Sequence, residues 1–409
     1  MRCEPRRRRP DTVAIVLFAL ALLSLALAFW QCLAAWRFPL HTRIADKSFA
    51  PAVTLLKPLK GRDAETACSL RSWFTQDYTG PTQILFGAAD ARDPVCDTVR
   101  ALLAEFAQAD AQLIICDEIL GANAKVSTLI QLQRLVKHDF LIVSDADVRV
   151  PSDFLANAVA PLRDSAVGLV NCFYRLANPS TAAMRWEAVA VNADFWSQAL
   201  QSRTLKPLGF ALGAAMAVRR SALEEIGGFA VLADYLADDY QLGHRIAARA
   251  QRIELCPVVV ECWEAPQSWR QVWAHQLRWA RTIRICQPAP YFLSILSNAT
   301  LWLALLLVCA PAWRISFELP QSSSQLGGAL PAMNVSGLVF GLCLIYRLGI
   351  ASWLQRRLTG TPLSCAQALT APLKDLLGAA IWLTAFLGNH IEWRGERYRV
   401  ERGGRLTRL

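Results

Sequence analysis

Apolar and polar positions divide the chain into a central body and flanking apolar segments. Within the body, short apolar runs at 53–56, 84–86, 113–115 and 140–143 predict buried strands. Stretches with helical spacing separate them, at 65–76, 95–108 and 125–136. Strands that alternate with helices predict an α/β fold with a mostly parallel sheet. Such sheets bind ligands at the carboxyl ends of their strands, so the residues after each strand are the first candidates for a site.

Longer apolar segments lie on either side of this body. Residues 13–36 contain no charged side chain and are long enough to cross a hydrocarbon core of ~30 Å. Residues 292–313 and 326–346 are further candidate spans. The apolar run at 376–388 is short for a full crossing and fits an interfacial or re-entrant segment. The sequence therefore predicts one N-terminal and two to three C-terminal membrane segments.

These segments define a domain organisation. We predict a basic N-terminal tail at 1–12, a transmembrane anchor at 13–36 and an α/β domain at 37–288. The domain ends in an amphipathic interfacial helix at 266–286, where tryptophans occupy one face and arginines surround it. A membrane region at 289–390 and a basic tail at 391–409 follow. The tail mixes aromatic residues with arginine, as is typical of a head-group surface.

Composition supports a membrane protein in a reducing compartment. The 409 residues are 54% hydrophobic and 19% charged, with a formal net charge of +10. Since no nucleic-acid-binding motif is present and arginines lie beside apolar segments, the charge favours a membrane surface over nucleic acid. Twelve cysteines are scattered without a CxxC pair. Their spacing argues against disulfides and against structural zinc.

Two aspartates directly follow the predicted strand at 140–143. Asp145 and Asp147 are two positions apart where the chain turns, so both carboxylates can converge on one divalent cation. A metal there would neutralise a departing diphosphate, as sugar transfer from a nucleoside diphosphate requires. The alternative is a solvated turn before a helix N-cap at Ser152. The position after an apolar strand of an α/β body favours the metal site.

Asp90 follows another predicted strand. Its carboxylate can accept hydrogen bonds from a base or ribose at the same edge of the sheet. Asp93 precedes Pro94 and is interpreted as a helix N-cap, which leaves Asp90 as the preferred ligand.

Two later segments add candidate groups. Asp239 stands in an Asp-Asp pair ahead of a helical stretch, where an ionised carboxylate can act as a general base. A helix N-terminal pair favoured by the macrodipole is an alternative of similar weight. On the amphipathic helix, Arg278 can bind a diphosphate and Trp279 can lie beside an acceptor. A purely interfacial helix is the other interpretation, and the two are compatible.

In chain order, Asp90, Asp145 with Asp147, Asp239 and Arg278-Trp279 resemble the D, DxD, D, (Q/R)xxRW pattern of inverting GT-A glycosyltransferases. More specifically, the chain looks like the ceramide glucosyltransferase family and its bacterial relatives, including hopanoid-associated glycosyltransferases. The likeness covers residues 53–400, with further matches at Lys57-Pro58-Leu59-Lys60-Gly61, Asn123-Ala124-Lys125, Val148-Arg149-Val150, Gly227-Gly228-Phe229 and residues 393–399.

The resemblance implies a GT-A (Rossmann-like) fold and a role for each matched residue. Donor binding would fall to Asp90, Lys57, Lys125, Asp145, Arg278 and Trp279. Magnesium or manganese would be held by Asp145 and Asp147, and Asp239 would be the catalytic base. The sequence departs from the family pattern at two places, of which the second concerns recognition of the acceptor. The motif (Q/R)xxRW begins with His275 here, and residues 191–207 lack the histidine that eukaryotic ceramide enzymes carry between the metal and base motifs.

The predicted function is therefore transfer of a single hexose from a nucleotide sugar, a UDP-sugar, to the hydroxyl of a membrane lipid such as ceramide or a hopanoid. A processive polysaccharide synthase has the same four-part site, but two or three C-terminal spans are few for a polymer tunnel. A non-catalytic membrane scaffold is a third interpretation, against which the intact carboxylates argue. The predicted partners are the UDP-sugar, the lipid acceptor and the bilayer, with no nucleic acid.

The charges around the first apolar segment give conflicting indications of topology. Four arginines at 6–9 favour a cytoplasmic N-terminus by the positive-inside rule, which places the body outside after one crossing. Basic residues also follow the segment, and nucleotide-sugar donors are cytosolic. We therefore expect a multi-pass protein, in a bacterial inner membrane, whose catalytic domain faces the cytoplasm.

Overall fold

The computed structural model describes residues 12–309, 314–315, 333–393 and 395–409. Its helices are α1 (Thr12–Arg37), α2 (Thr66–Arg71), α3 (Val95–Glu105), α4 (Ala124–Gln133), α5 (Phe154–Val159), α6 (Ala182–Val189), α7 (Trp196–Leu205), α8 (Arg220–Glu225), α9 (Asp238–Ala247), α10 (Trp269–Cys286), α11 (Pro288–Ser294), α12 (Ala299–Cys309), α13 (Val335–Thr359) and α14 (Cys365–Ala385). Its strands are β1 (Val53–Leu59), β2 (Thr82–Ala88), β3 (Asp110–Ile115), β4 (Phe140–Ser144), β5 (Val148–Arg149), β6 (Val167–Leu176), β7 (Ala215–Arg219), β8 (Arg252–Cys262), β9 (Arg314–Ile315), β10 (Met333–Asn334), β11 (His390–Trp393), β12 (Glu396–Val400) and β13 (Leu406–Arg408).

An eight-stranded sheet forms the centre of the body, in the order β3-β2-β1-β4-β7-β6-β8-β5. The first four strands are parallel, β7 runs antiparallel to β4 and β6, and β8 is parallel to β6. Every residue of β1 is buried, as expected of a parallel strand covered on both faces. The prediction of an α/β fold with a mostly parallel sheet is confirmed.

Alternate residues of the central strands enter two apolar cores. Leu55 of β1 and Ile142 of β4 belong to one core, whereas their neighbours Leu56 and Leu141 belong to the other. The second core also contains Ala35 of α1, with Ile350, Ala351, Leu354 and Leu358 of α13. The apolar helices therefore pack directly against the sheet domain and share its core.

Two helices in the described part of the chain, α1 and residues 337–359 of α13, are long and apolar enough to cross a membrane. Residues 288–297 and 299–309 form a third candidate span that is bent by 56°. The bend lies at Asn298, whose side chain accepts from Leu301 N (3.0 Å) and donates to Asp375 O (2.7 Å). Most of the predicted run at 376–388 lies in the longer helix α14, and residues 326–332 of the predicted second span lie outside the described residues.

One predicted helix is shorter in the structure. The pattern indicated a helix at 65–76, but α2 ends at Arg71. Beyond it, Trp73 turns into the core and donates to Val148 O at 3.1 Å, and Gln76 donates to Pro151 O at 3.0 Å. These contacts with the strand after β4 compete with continuation of the helix. The amphipathic helix is confirmed as α10, which begins with a capping box of Ser268 and Gln271.

The chain ends in a three-stranded antiparallel sheet of β11, β12 and β13, which we name the C-terminal meander. It packs on α10 and on the segment before α9. It therefore lies against the two elements that carry the predicted base and the predicted Arg-Trp pair.

Candidate active site

An open cavity of about 1420 Å³ lies at the carboxyl edge of the sheet. It extends from this edge, along α10, to side chains of the candidate span α13 and of the neighbouring helix α14. Six of the eight predicted site residues line it: Lys125, Asp145, Asp147, Asp239, Arg278 and Trp279. Lys57 and Asp90, the other two, lie outside its lining.

The loop after β4, residues 145–147, carries the two carboxylates that are predicted to bind the metal, and we name it the metal loop. Hydrogen bonds of its backbone hold it in place. Asp145 N donates to Ala214 O (3.1 Å), and Trp263 N donates to Asp147 O (3.1 Å). Burial, followed by repulsion from Asp145 and Glu264, raises the pKa of Asp147 to about 7. Two carboxylates that repel each other in this way form a pair that a divalent cation would stabilise.

A cation at this pair would need further ligands. In the described ranges, no three His, Cys, Asp or Glu side chains are grouped as a metal site. Magnesium commonly binds through one or two carboxylates, with waters and substrate phosphates completing its coordination. Asp145 and Asp147 therefore fit a metal that arrives together with a phosphate-bearing ligand.

Lys57 supports this loop from below. It is fully buried at the end of β1, and its ammonium donates to Ser144 Oγ (3.3 Å) and to the carbonyl oxygen of Asp145. The ring of Trp73 lies 5.0 Å from the same nitrogen. Burial lowers the pKa of Lys57 to about 7, despite the nearby carboxylates of Asp147 and Asp145. Lys57 therefore contacts the start of the metal loop and the Trp73 ring, and it does not line the cavity.

Lys125 forms ion pairs with the metal loop and with the start of α9, where Asp238 and Asp239 lie. Its Nζ lies 2.7 Å from Asp145 Oδ1 and 3.0 Å from Asp238 Oδ2. Asn123 caps α4 and also donates to Tyr235 O at 2.8 Å, which places Lys125 between the two segments. Burial alone would lower the pKa of Lys125, but the carboxylates of Asp145 and Asp238 outweigh it, so the pKa lies above its usual value.

Asp239 lies in the first turn of α9. One carboxylate oxygen accepts from Tyr240 N at 2.7 Å. The other faces Gly213, where an added Cβ would come within 2.7 Å of it, so a side chain at position 213 would displace this carboxylate. Burial, with repulsion from Asp238, raises the pKa of Asp239 to about 6, although Lys125 opposes the shift.

Helix α10 presents His275, Arg278 and Trp279 to the cavity within about one turn. His275 Nδ1 lies 2.8 Å from Glu187 Oε1, and Gln276 donates to the same oxygen at 2.7 Å. The imidazole also makes an edge contact with Trp279, with ring centroids 4.7 Å apart. The buried carboxylate of Glu187 thus orients the histidine that replaces Gln or Arg in the motif.

Asp90 lies outside the cavity in this structure. Its carboxylate is half-exposed and pairs with Arg92 at 2.9 Å. Asp93 was predicted as the N-cap of α3, but Pro94 occupies that position, one residue later. The Asp93 carboxylate accepts from Val95 N (2.9 Å) and from Gly61 N (2.9 Å). It therefore ties the loop after β1 to the segment that carries Asp90.

The cavity also has polar lining residues that were not predicted as site residues, among them Tyr174, Glu187, Asp238 and Glu264. Glu264 follows β8, whose apolar run at 255–260 was a usable strand signal. Burial raises the pKa of Glu264, and the negative charge of Glu187 adds to the shift. Glu187 had no comparable local signal, because its partners on α10 are some 90 residues away in the chain.

The sheet order, the carboxylate loop after β4 and the helix that carries Asp239 are those of a class, the glycosyltransferases of GT-A fold. The mannosyltransferase PcManGT from Pyrobaculum calidifontis, solved with GDP-Man and Mn²⁺, superposes with a TM-score of 0.52. It is 22% identical, and the match covers 89% of this chain and 98% of that one. This likeness shows the fold.

The chain belongs to glycosyl transferase family 21, whose family model matches residues 16–406. It is similar to ceramide glucosyltransferase 1 of Caenorhabditis elegans, with 20% identity over 380 residues, 90% of this chain and 76% of that protein. Ceramide glucosyltransferase 3 of the same organism is 24% identical over 217 residues, 53% of this chain and 47% of that protein. The match thus spans about half of one relative and three quarters of the other. The predicted family and enzyme class are confirmed.

Proposed function

We propose that this glycosyltransferase moves one hexose, with inversion, from a UDP-sugar to a hydroxyl of a membrane lipid such as ceramide or a hopanoid. One observation carries the proposal. The carboxylate pair, the base candidate Asp239 and the Arg278-Trp279 pair line one cavity that continues to the membrane helices. The names of the similar proteins support a lipid acceptor.

On the donor side, each group has a separate task. Asp145 and Asp147 would hold a divalent cation, which supplies charge neutralisation for the diphosphate when it is bound. Arg278 would bind the diphosphate from α10. Lys57 keeps the metal loop in position through the Asp145 carbonyl, and Lys125 would contact the donor beside Asp145. Asp90 would bind the nucleoside at the edge of the site.

On the acceptor side, Asp239 would accept the proton of the lipid hydroxyl. The freed oxygen attacks the anomeric carbon, and the bond to the diphosphate breaks on the opposite face, which inverts the configuration. A base with a pKa of about 6 stays ionised at neutral pH and binds a proton more tightly than an ordinary aspartate. The lipid would reach it past Trp279, with the catalytic domain on the cytoplasmic side of the membrane.

Lipid analysis of a host that expresses the chain tests this function. Asp239→Asn and Asp145→Asn should each lower glycolipid formation by about 100-fold or more while the protein remains folded. Asp97→Asn, an exposed aspartate of α3, is a matched control that should keep full activity. Activity near the wild-type level in Asp239→Asn would remove its assigned role. A long sugar polymer in place of a singly glycosylated lipid would contradict the proposed product.

A further inference from the structure

The C-terminal meander has two faces of opposite character. Side chains alternate along β12: Tyr398 and Val400 are buried, whereas Arg397 and Arg399 are exposed. The inner face therefore contacts the protein, and the outer face presents positive charge. Because both faces belong to the same strand, a ligand that restricts the outer face also restricts the inner face.

The inner face packs on the segment that precedes the base. We name residues 234–239 the base loop. Its Leu236 is buried in one apolar cluster with four residues of the meander, Ile391, Tyr398, Val400 and Leu406. Since this leucine is only three residues from Asp239, the cluster fixes the approach of the chain to α9.

Hydrogen bonds reinforce this contact. Leu236 N donates to Gly404 O at 3.1 Å, and Leu406 N donates to Asp234 O at 2.7 Å. Gln241, in the first turns of α9, donates to Gly403 O at 2.7 Å. The base loop is thus bonded to the meander on both sides of Asp239.

The outer face carries cations without protein partners. Residues 395–409 include five arginines and two glutamates. Arg405 pairs with Asp234 (3.1 Å) and Arg408 pairs with Glu396 (2.8 Å). Across the residues that the structure describes, the exposed side chains of Arg397, Arg399 and Arg402 have no hydrogen bond or ion pair.

An apolar edge directly precedes these cations. At the end of α14, Leu383, Phe386 and Leu387 are exposed, Leu387 by 79%, and β11 begins three residues later. Exposed leucine and phenylalanine followed by arginines are typical of a segment at the boundary between acyl chains and head groups. An outer face at the depth of the lipid phosphates would match this arrangement.

We propose that the outer face of the meander, through Arg397, Arg399 and Arg402, binds anionic lipid head groups, and that this binding holds the base loop in its catalytic position. The proposal rests on the proposed function, because it assigns the base to Asp239. Each arginine near an anionic surface contributes about fivefold to lipid affinity. An anionic bilayer would therefore order the meander and raise kcat without contacting the reacting groups.

Full-length protein in nanodiscs tests the proposal. We expect a higher kcat in phosphatidylcholine with added phosphatidylglycerol than in phosphatidylcholine alone. The triple variant Arg397→Gln/Arg399→Gln/Arg402→Gln should lose this increase and keep the lower kcat in both lipids. The corresponding triple lysine variant should retain it, since charge and not guanidinium geometry carries the effect. Arg71→Gln/Arg100→Gln/Arg220→Gln removes the same charge elsewhere on the surface and should respond as wild type does.

Hydrogen exchange provides a readout that does not depend on activity. The amides of Leu236 and Leu406 should exchange more slowly in the anionic nanodiscs for the wild type, and equally in both lipids for the glutamine variant. A lipid response that survives in the glutamine variant, or a wild type that shows none, overturns the proposal. Failure of the proposed function is a separate result, seen as activity in Asp239→Asn or as no sugar transfer in any lipid.

Discussion

Lys125 is the cation that opposes the raised pKa of Asp239, the proposed base. Its ammonium contacts Asp145 on the metal loop and Asp238 beside the base, and it is only 10% exposed. Burial and the negative charge of Asp238 raise the pKa of Asp239, whereas the positive charge of Lys125 lowers it. Burial is therefore the larger cause of the raised pKa of Asp239, and Asp238, its neighbour in the Asp-Asp pair, adds to the shift.

The pH dependence of kcat/KM tests this tuning. The base must be ionised, so activity should fall as the pH decreases through about 6, the pKa of Asp239. Asp238→Asn removes a negative charge and releases Lys125 towards Asp239, and both changes lower the pKa. The acidic limb should therefore move to lower pH in this variant, while Asp97→Asn leaves it in place. An acidic limb that moves to higher pH in Asp238→Asn would contradict the electrostatic assignment.

A cluster of charged side chains connects the membrane helices to the body. Between α6 and α7, residues 190–195 form a π-helical segment that carries Asp194. Arg347 of α13 donates to Asp194 (2.8 Å) and to Asp375 of α14 (2.9 Å), and Lys374 contacts the same two carboxylates. The cluster contains two cations and two anions, so the arginine in the candidate span is compensated by partners on two other elements.

A double-mutant cycle tests the cluster. Arg347→Met leaves one uncompensated carboxylate and should lower stability by about 3–5 kcal/mol, as removal of one member of a buried pair does. Arg347→Met/Asp375→Asn leaves the neutral pair of Lys374 and Asp194, so it should lose less than the single variant. Arg408→Met, on the exposed meander, is the control and should change stability by no more than about 0.5 kcal/mol. Thermal unfolding in detergent measures all three, and a double variant less stable than Arg347→Met would contradict the assignment.

At the scale of the whole molecule, the catalytic cavity and the membrane helices form a continuous structure. α1 and α13 contribute to the core beneath the sheet, and the cavity extends from Asp147 to Arg347. In the proposed function, this continuity would bring an acceptor from the bilayer to the same cavity as a water-soluble donor. It requires the body to lie on the side of the membrane where the donor is present.

We therefore predict that the body faces the cytoplasm. In sealed inverted inner-membrane vesicles, added protease should cleave surface loops of the body, such as the segment at 117–123. The same protease should leave it intact in right-side-out vesicles. Protection in the inverted vesicles would contradict this orientation and support the one that the N-terminal arginines favour.

The sequence alone determined the elements whose signals are local. Apolar runs at β1, β2 and β4 identified the parallel core, and Asp145, Asp147, Asp239, Arg278 and Trp279 were identified from motifs of a few residues. Asp145 and Asp147 reach the cavity because they follow β4 at the carboxyl edge of the sheet. Asp239, Arg278 and Trp279 reach it because α9 and α10 pack beside that edge.

The tertiary structure alone decided how these groups are supported. Lys57 lies beneath the metal loop, Glu187 orients His275, and the meander bonds to the base loop, each through contacts between residues 87 or more positions apart. The bend at Asn298 likewise depends on its hydrogen bond to Asp375. Such contacts have no periodicity or spacing in the sequence, because they arise only when separate elements pack. Short motifs therefore predicted which residues form the site. Their pKa shifts and the contacts that hold them in place depend on the packed fold.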